Sequence, residues 1–183
     1  MSEEGSGKAQ PDLRYPVGEF VGPQDIRAQD LAAWIAELER LPTDLRHEVA
    51  DLNDAQLDTP YRPGGWSVRQ VVHHLPDSHL NSYQRYRLAL TEDNPTIKPY
   101  DEAAWAELPD ARQAPIGPSL QLLEALHERW VLLLRSLSGE QWGRTFQHPE
   151  RGQVRLDTTI AMYAWHCRHH LAHIQNVKRR EGW

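Results

Sequence analysis

The chain has 183 residues, of which 39% are hydrophobic and 25% charged, the ordinary range for one soluble domain and long enough to bury a core without disulfides or structural metals. Lys and Arg sum to 20 against 26 Asp and Glu, a net charge of −6, which disfavours nucleic acid as a partner. The single Cys167 excludes an intramolecular disulfide, and no apolar run approaches the roughly 18 residues needed to span a bilayer. The opening residues lack the apolar region of a signal peptide, so a cytoplasmic protein without a membrane partner is expected. What departs from the ordinary is 10 His and 7 Trp beside 2 Phe.

Residues 1–12 are polar and lack the aromatic and branched side chains that offset ordering entropy, so they read as a disordered N-terminal tail preceding one domain over 13–183. From about Gln24 a helical stripe runs through Leu31, Trp34, Ile35, Leu38, Leu41, Leu45, Val49 and Leu52, with Pro42 placed either to kink it or to start a second segment. The stretch Asp58-Thr-Pro-Tyr-Arg-Pro-Gly-Gly65 forces a turn. Ser67 then caps a second helix, with Gln70 completing a capping box and Pro76 expected to bend it. The proline-rich span from Asn94 to Pro118 reads as a long crossover holding a short helix near Glu102–Leu108. A third long helix carries Leu120, Leu123, Leu126, Trp130, Leu133, Leu134 and Leu137, with Gly139 as a left-handed cap. Weak alternation over Thr145–Leu156 predicts a small hairpin. A last helix, N-capped by Asp157, runs toward Arg180. The simplest architecture is all-α: an antiparallel four-helix bundle with one long crossover and a small β-hairpin.

The chemistry concentrates in the last helix, where His166, His169, His170 and His173 fall within eight residues. His166 with His170, and His169 with His173, have the four-residue spacing that sets two imidazoles one turn apart. The apolar stripe Ile160, Tyr163, Ala164, Cys167, Leu171 and Ile174 separates the pairs. At about 100° per residue, His170 and His166 lie roughly 70° and 110° from its centre, and His173 and His169 roughly 130° and 170°. The first pair therefore borders the bundle interior and is the choice for chelation, while the second leans toward solvent. Two ligands leave a metal underdetermined, so a third should come from a facing helix: His73, His74 or His79, with at most one of the adjacent two reaching the same centre. Three histidines would leave open positions for water or substrate, the arrangement of a catalytic zinc site. His47, His127 and His148 read as surface or packing residues, and Cys167 as a buried inert thiol. Trp34, Trp130 and Trp165 read as core, and Asp77 as a carboxylate able to orient an imidazole.

The segments Arg14-Tyr-Pro-Val-Gly-Glu-Phe20, Leu57-Asp-Thr-Pro-Tyr-Arg62, Gly64-Gly-Trp-Ser-Val-Arg-Gln-Val-Val-His-His-Leu75 and Tyr163-Ala-Trp-His-Cys-Arg-His-His-Leu-Ala-His173 together resemble the YfiT-type branch of the DinB superfamily. The resemblance spans nearly the whole of 13–183. It implies a four-helix bundle, a cytoplasmic homodimer, and a metal-dependent hydrolase with one zinc or nickel ion per subunit at three histidines. Motif by motif it places those ligands on His74, His166 and His170. Pro76 departs from the pattern, where a small helix former is expected.

The expected function is hydrolysis of a small-molecule substrate, with the metal activating water or a thiol. Relatives in the same superfamily are transferases or isomerases using low-molecular-weight thiols, so a bacillithiol-type S-transferase acting in detoxification is the alternative, and a non-enzymatic metal-binding protein is the second alternative. No general base or thiol motif stands out in the sequence. Tyr61, Arg62 and Arg69, near the Gly-Gly turn, are candidates for holding an anionic thiol.

Overall fold

The computed structural model describes residues 12–183, so the tail expected over 1–12 lies, apart from Asp12, outside the described residues. Its helices are α1 (Ala28–Val49), α2 (Asp54–Leu57), α3 (Val68–Thr91), α4 (Glu102–Ala106), α5 (Pro109–Gln113), α6 (Gly117–Arg135), α7 (Gly139–Trp142) and α8 (Leu156–Glu181). Strands β1 (Thr145–His148) and β2 (Gly152–Arg155) form the antiparallel hairpin, Thr145 opposite Arg155 and His148 opposite Gly152. None of the described helices is long and apolar enough to cross a membrane.

The four long helices α1, α3, α6 and α8 make the bundle, and side-chain contacts fix their directions. Arg135 pairs with Glu39 and Arg46 with Glu124, so α1 and α6 run antiparallel. Glu37 pairs with Arg168 and Glu48 with Lys178, so α1 and α8 run parallel. The Tyr86 hydroxyl donates to the Leu156 carbonyl at 2.6 Å while His74 meets His166, so α3 and α8 are antiparallel. His73 meets Ser119 and His79 meets His127, so α3 and α6 are parallel. A parallel pair cannot be joined by a tight turn, and the proline-rich crossover carrying α4 and α5 supplies the return. Leu38, Leu41, Leu45, Leu75, Leu123, Leu134, Leu156, Ile160 and Trp130 fill the interior with almost no exposure.

The local signals mostly act as their chemistry requires. At the start of α3 the Gln70 amide donates to Ser67 Oγ at 3.2 Å, and the Ser67 amide to Gln70 Oε1 at 2.9 Å. Both prolines are accommodated inside continuous helices, Pro42 in α1 and Pro76 in α3. Pro42 has no N–H to offer the carbonyl four residues back, and that carbonyl, of Leu38, instead accepts from His127 Nδ1 at 2.6 Å. Two helix ends differ from expectation. Gly139 opens α7 behind a Ser138 cap rather than closing α6, because the Ser138/Gln141 capping box restarts a turn there. Asp157 lies inside the first turn of α8 rather than at its cap; β2 runs straight into the helix, and the Asp157 carboxylate accepts from Arg155 and the Thr158 amide. The left-handed cap of α8 is Gly182, with φ +77°.

Candidate metal centre

The antiparallel contact of α3 with α8 brings His74, His166 and His170 together: one ring nitrogen from each lies within 4.8 Å of the others. His74 and His170 are buried and His166 is half-buried. His74 Nε2 and His166 Nε2 are 3.2 Å apart. Two nitrogens on one tetrahedral ion, each at about 2.0–2.1 Å, stand roughly 3.4 Å apart, so this pair already has close to the spacing a metal needs. His170 Nδ1 is buried with no hydrogen-bond partner among the described residues, a cost a folded core normally avoids. An all-imidazole set suits zinc or nickel. The residues therefore fit a metal.

Their electrostatics point the same way. Burial pushes His74 down to about 4 and holds His166 and His170 well below the ordinary imidazole value, with neighbouring imidazoles adding to the effect. Neutral rings keep free lone pairs at neutral pH, so binding need not displace protons.

The neighbouring histidine on α3 is excluded by direction. His73 points the opposite way, Nδ1 to Ser119 Oγ at 2.7 Å and Nε2 to the Ala114 carbonyl at 3.2 Å. His79 lies behind the triad, its Nε2 3.1 Å from His166 Nδ1 and its Nδ1 2.8 Å from His127 Nε2. His127 is thus a buried member of a polar chain. The signal for it was present: Leu120, Leu123, His127, Trp130 and Leu134 share one core-facing stripe.

His169 and His173 do not lean toward solvent. They are 8% and 3% exposed, because the segment before α1 and the turn before α3 fold over them: His173 Nε2 meets the Arg14 carbonyl at 3.2 Å, Tyr15 packs near His169, and Tyr61 of the turn stacks on His173 at 4.0 Å. His169, His170 and His173 also bring nitrogens within 4.8 Å of one another. Trp165 belongs to the same cover rather than the core: it stacks on His169 at 4.4 Å and donates to the Gly18 carbonyl at 3.0 Å. Trp130 is fully buried and Trp34 packs partly buried against the core. Among the described hydrogen bonds none joins the Asp77 carboxylate to an imidazole; only its main-chain carbonyl is engaged, by Asn81. Cys167 is buried and its thiol pushed up by desolvation, as an inert core residue requires.

A cleft of about 850 Å³ opens over the triad. Trp66, whose ring lies 4.8 Å from that of His74, lines it together with Tyr61, Tyr100 and Tyr163. Arg14, Arg62, Arg85 and Arg151 contribute cationic groups to its lining and Asp101, Glu102 and Glu150 acidic ones, with His148 beside them. Arg62 and Tyr61 are therefore available to a ligand. Arg69 is not: it is buried between Asp54 at 2.8 Å, Asp58 at 2.7 Å and the Ala114 carbonyl at 3.0 Å.

The DinB superfamily model matches residues 37–174. Proteins of Bacillus cereus and Bacillus anthracis, each named "Putative metal-dependent hydrolase", are 55% identical over 172 residues, 94% of this chain and 99% of theirs. The solved structure of YfiT from Bacillus subtilis, described as "a probable metal-dependent hydrolase with an unusual four-helix bundle topology", matches with a TM-score of 0.91 at 49% identity, over 93% of this chain and 98% of that one.

Proposed function

This chain belongs to the DinB superfamily, and on that premise we propose that it is a metal-dependent hydrolase whose single zinc or nickel ion is held by His74, His166 and His170. The observation that carries the reading is the convergence of three neutral, buried or half-buried imidazoles at the floor of an open cleft. A divalent ion there, when bound, would supply the Lewis acidity that ionises water or a thiol near neutral pH. The chain's own residues do the rest. Three protein ligands would leave such an ion open positions for water or substrate. Trp66 and Tyr61 restrict solvent, which strengthens electrostatic interactions inside. Arg62, Arg85 and Arg151 favour a substrate carrying negative charge.

A thiol-dependent transferase is a second reading supported by a separate observation: Arg62 Nε is buried without a hydrogen-bond partner among the described residues, at a wall where the carboxylate of a small thiol could dock. We also propose a homodimer, which analytical ultracentrifugation would show as twice the mass of one chain.

The deciding experiment is metal analysis of untagged protein by mass spectrometry, for the wild type and for His74→Ala, His166→Ala and His170→Ala. About one zinc or nickel per chain, lost in each variant, is the expected result. A wild type without stoichiometric metal, or folded variants that retain it, would overturn the assignment. Ester hydrolysis assayed with and without added low-molecular-weight thiols then separates hydrolase from transferase.

A further inference from the structure

We propose that His79 and His127 are positioning residues that, with His166, form a directional chain of imidazoles locking His166 as its Nδ1–H tautomer and so turning the Nε2 lone pair toward the metal. The inference rests on the metal reading above and adds two residues that touch neither ion nor substrate.

The direction of the chain follows from its far end. The Leu38 carbonyl has no proton to give, so its 2.6 Å contact places the hydrogen on Nδ1 of His127. A neutral imidazole carries one N–H, so His127 Nε2 accepts, and the ring nitrogen facing it at 2.8 Å, His79 Nδ1, must donate. His79 Nε2 then accepts from His166 Nδ1 at 3.1 Å. What remains on His166 is the Nε2 lone pair, the atom that faces His74 Nε2 at 3.2 Å. With the proton on His166 Nε2 instead, each link reverses, and the chain ends with a His127 lone pair against a carbonyl oxygen, two acceptors facing each other. One main-chain oxygen thereby selects the tautomer of a ring two residues removed from it.

That oxygen is free to do so because of Pro42, which lacks the N–H that would occupy it within α1. The rings are also held against rotation. His79 and His127 are almost fully buried and stack at 4.9 Å with 19° between planes, while the Trp130 ring meets both edge-on. Metal-bound histidines usually donate their second N–H to a carboxylate, a main-chain carbonyl or water. Here the acceptor is an imidazole, so His166 is oriented without a negative charge beside it.

Two measurements test this. In chelator-treated, full-length protein labelled with ¹⁵N histidine, long-range ¹H–¹⁵N spectra should show His127, His79 and His166 as Nδ1–H tautomers. An Nε2–H on any of the three overturns the chain. Zinc affinity, read by competition with a chromophoric chelator, should fall on the order of 10–100-fold in His127→Leu. It should recover toward the wild-type value in His127→Gln, whose amide can both donate to Leu38 and accept from His79. A folded His127→Leu with wild-type affinity and an unchanged His166 tautomer overturns the proposal; if that variant does not fold, the wild-type tautomers decide alone. Failure of the metal reading looks different: a chain that binds no zinc yet shows all three rings as Nδ1–H.

Discussion

Adjacent histidines on α3 have different fates because one helical residue turns a side chain by about 100°. His74→Ala should abolish metal binding with little change in fold, since it removes a proposed ligand at the cleft floor. His73→Ala should retain metal but lower stability by about 1–3 kcal/mol, because the Ser119 hydroxyl loses its partner and the Ala114 carbonyl keeps only Arg69; metal analysis and thermal melts of both variants check the pair. The convergence of His74, His166 and His170 was largely legible in the sequence, through the four-residue spacing of His166 and His170 and the family motif around His74. His79 was read as a candidate third ligand and His127 as a surface or packing residue, and the link between them was not legible. Their chemistry depends on a carbonyl that a proline on a different helix sets free, and periodicity carries no record of that. His169 and His173 were misplaced for a related reason: a helical wheel shows which side faces the bundle, not whether a distant segment returns to cover the other.

Among the elements, the turn before α3 bears most directly on the cleft. Gly64 has φ +67°, and a Cβ on Gly65 would stand 2.7 Å from Arg62 Cγ and 3.1 Å from the Tyr61 ring. Gly65→Ala must therefore move both side chains, and we expect a loss of about 1–3 kcal/mol with altered quenching of Trp66 fluorescence, read by melts and emission spectra. The turn itself was plain in the sequence, as were the four long helices, the crossover and the hairpin. Helix ends were less so. Gly139 and Asp157 both carry the right residue type for the roles expected of them, yet each was displaced by a neighbouring element that began sooner, α7 behind Ser138 and α8 directly from β2.

The whole molecule holds an unusual load of buried neutral imidazoles. His74, His127, His169 and His173 are each pushed down to about 4, chiefly by burial. Unfolded, these rings take up protons near pH 6.5; folded, they do not until about pH 4. Their contribution to stability is therefore present above pH 6.5 and lost as pH falls toward 4, about 3 kcal/mol for His127 alone. Asp77, raised to about 6 by burial, opposes this with the reverse sign, its contribution being lost as pH rises through 6. One group against four leaves metal-free protein melting at a lower temperature at pH 5 than at pH 7; an unchanged or higher Tm at pH 5 would contradict the burial described above. Zinc at a hundred times its Kd should add about 2.7 kcal/mol at neutral pH, and a chelator should remove that increment.

The parallel run of α3 and α6, with α8 returning antiparallel to close the site, also imposes an order on the protein's manufacture. His74 and His166 are 92 residues apart, and synthesis delivers the N-terminal portion first. When α1, α3 and α6 have been made, His166 and His170, two of the three proposed ligands, are still to follow. Metal capture at the proposed site thus waits for α8, and a truncated product that ends before it carries His74 but neither His166 nor His170.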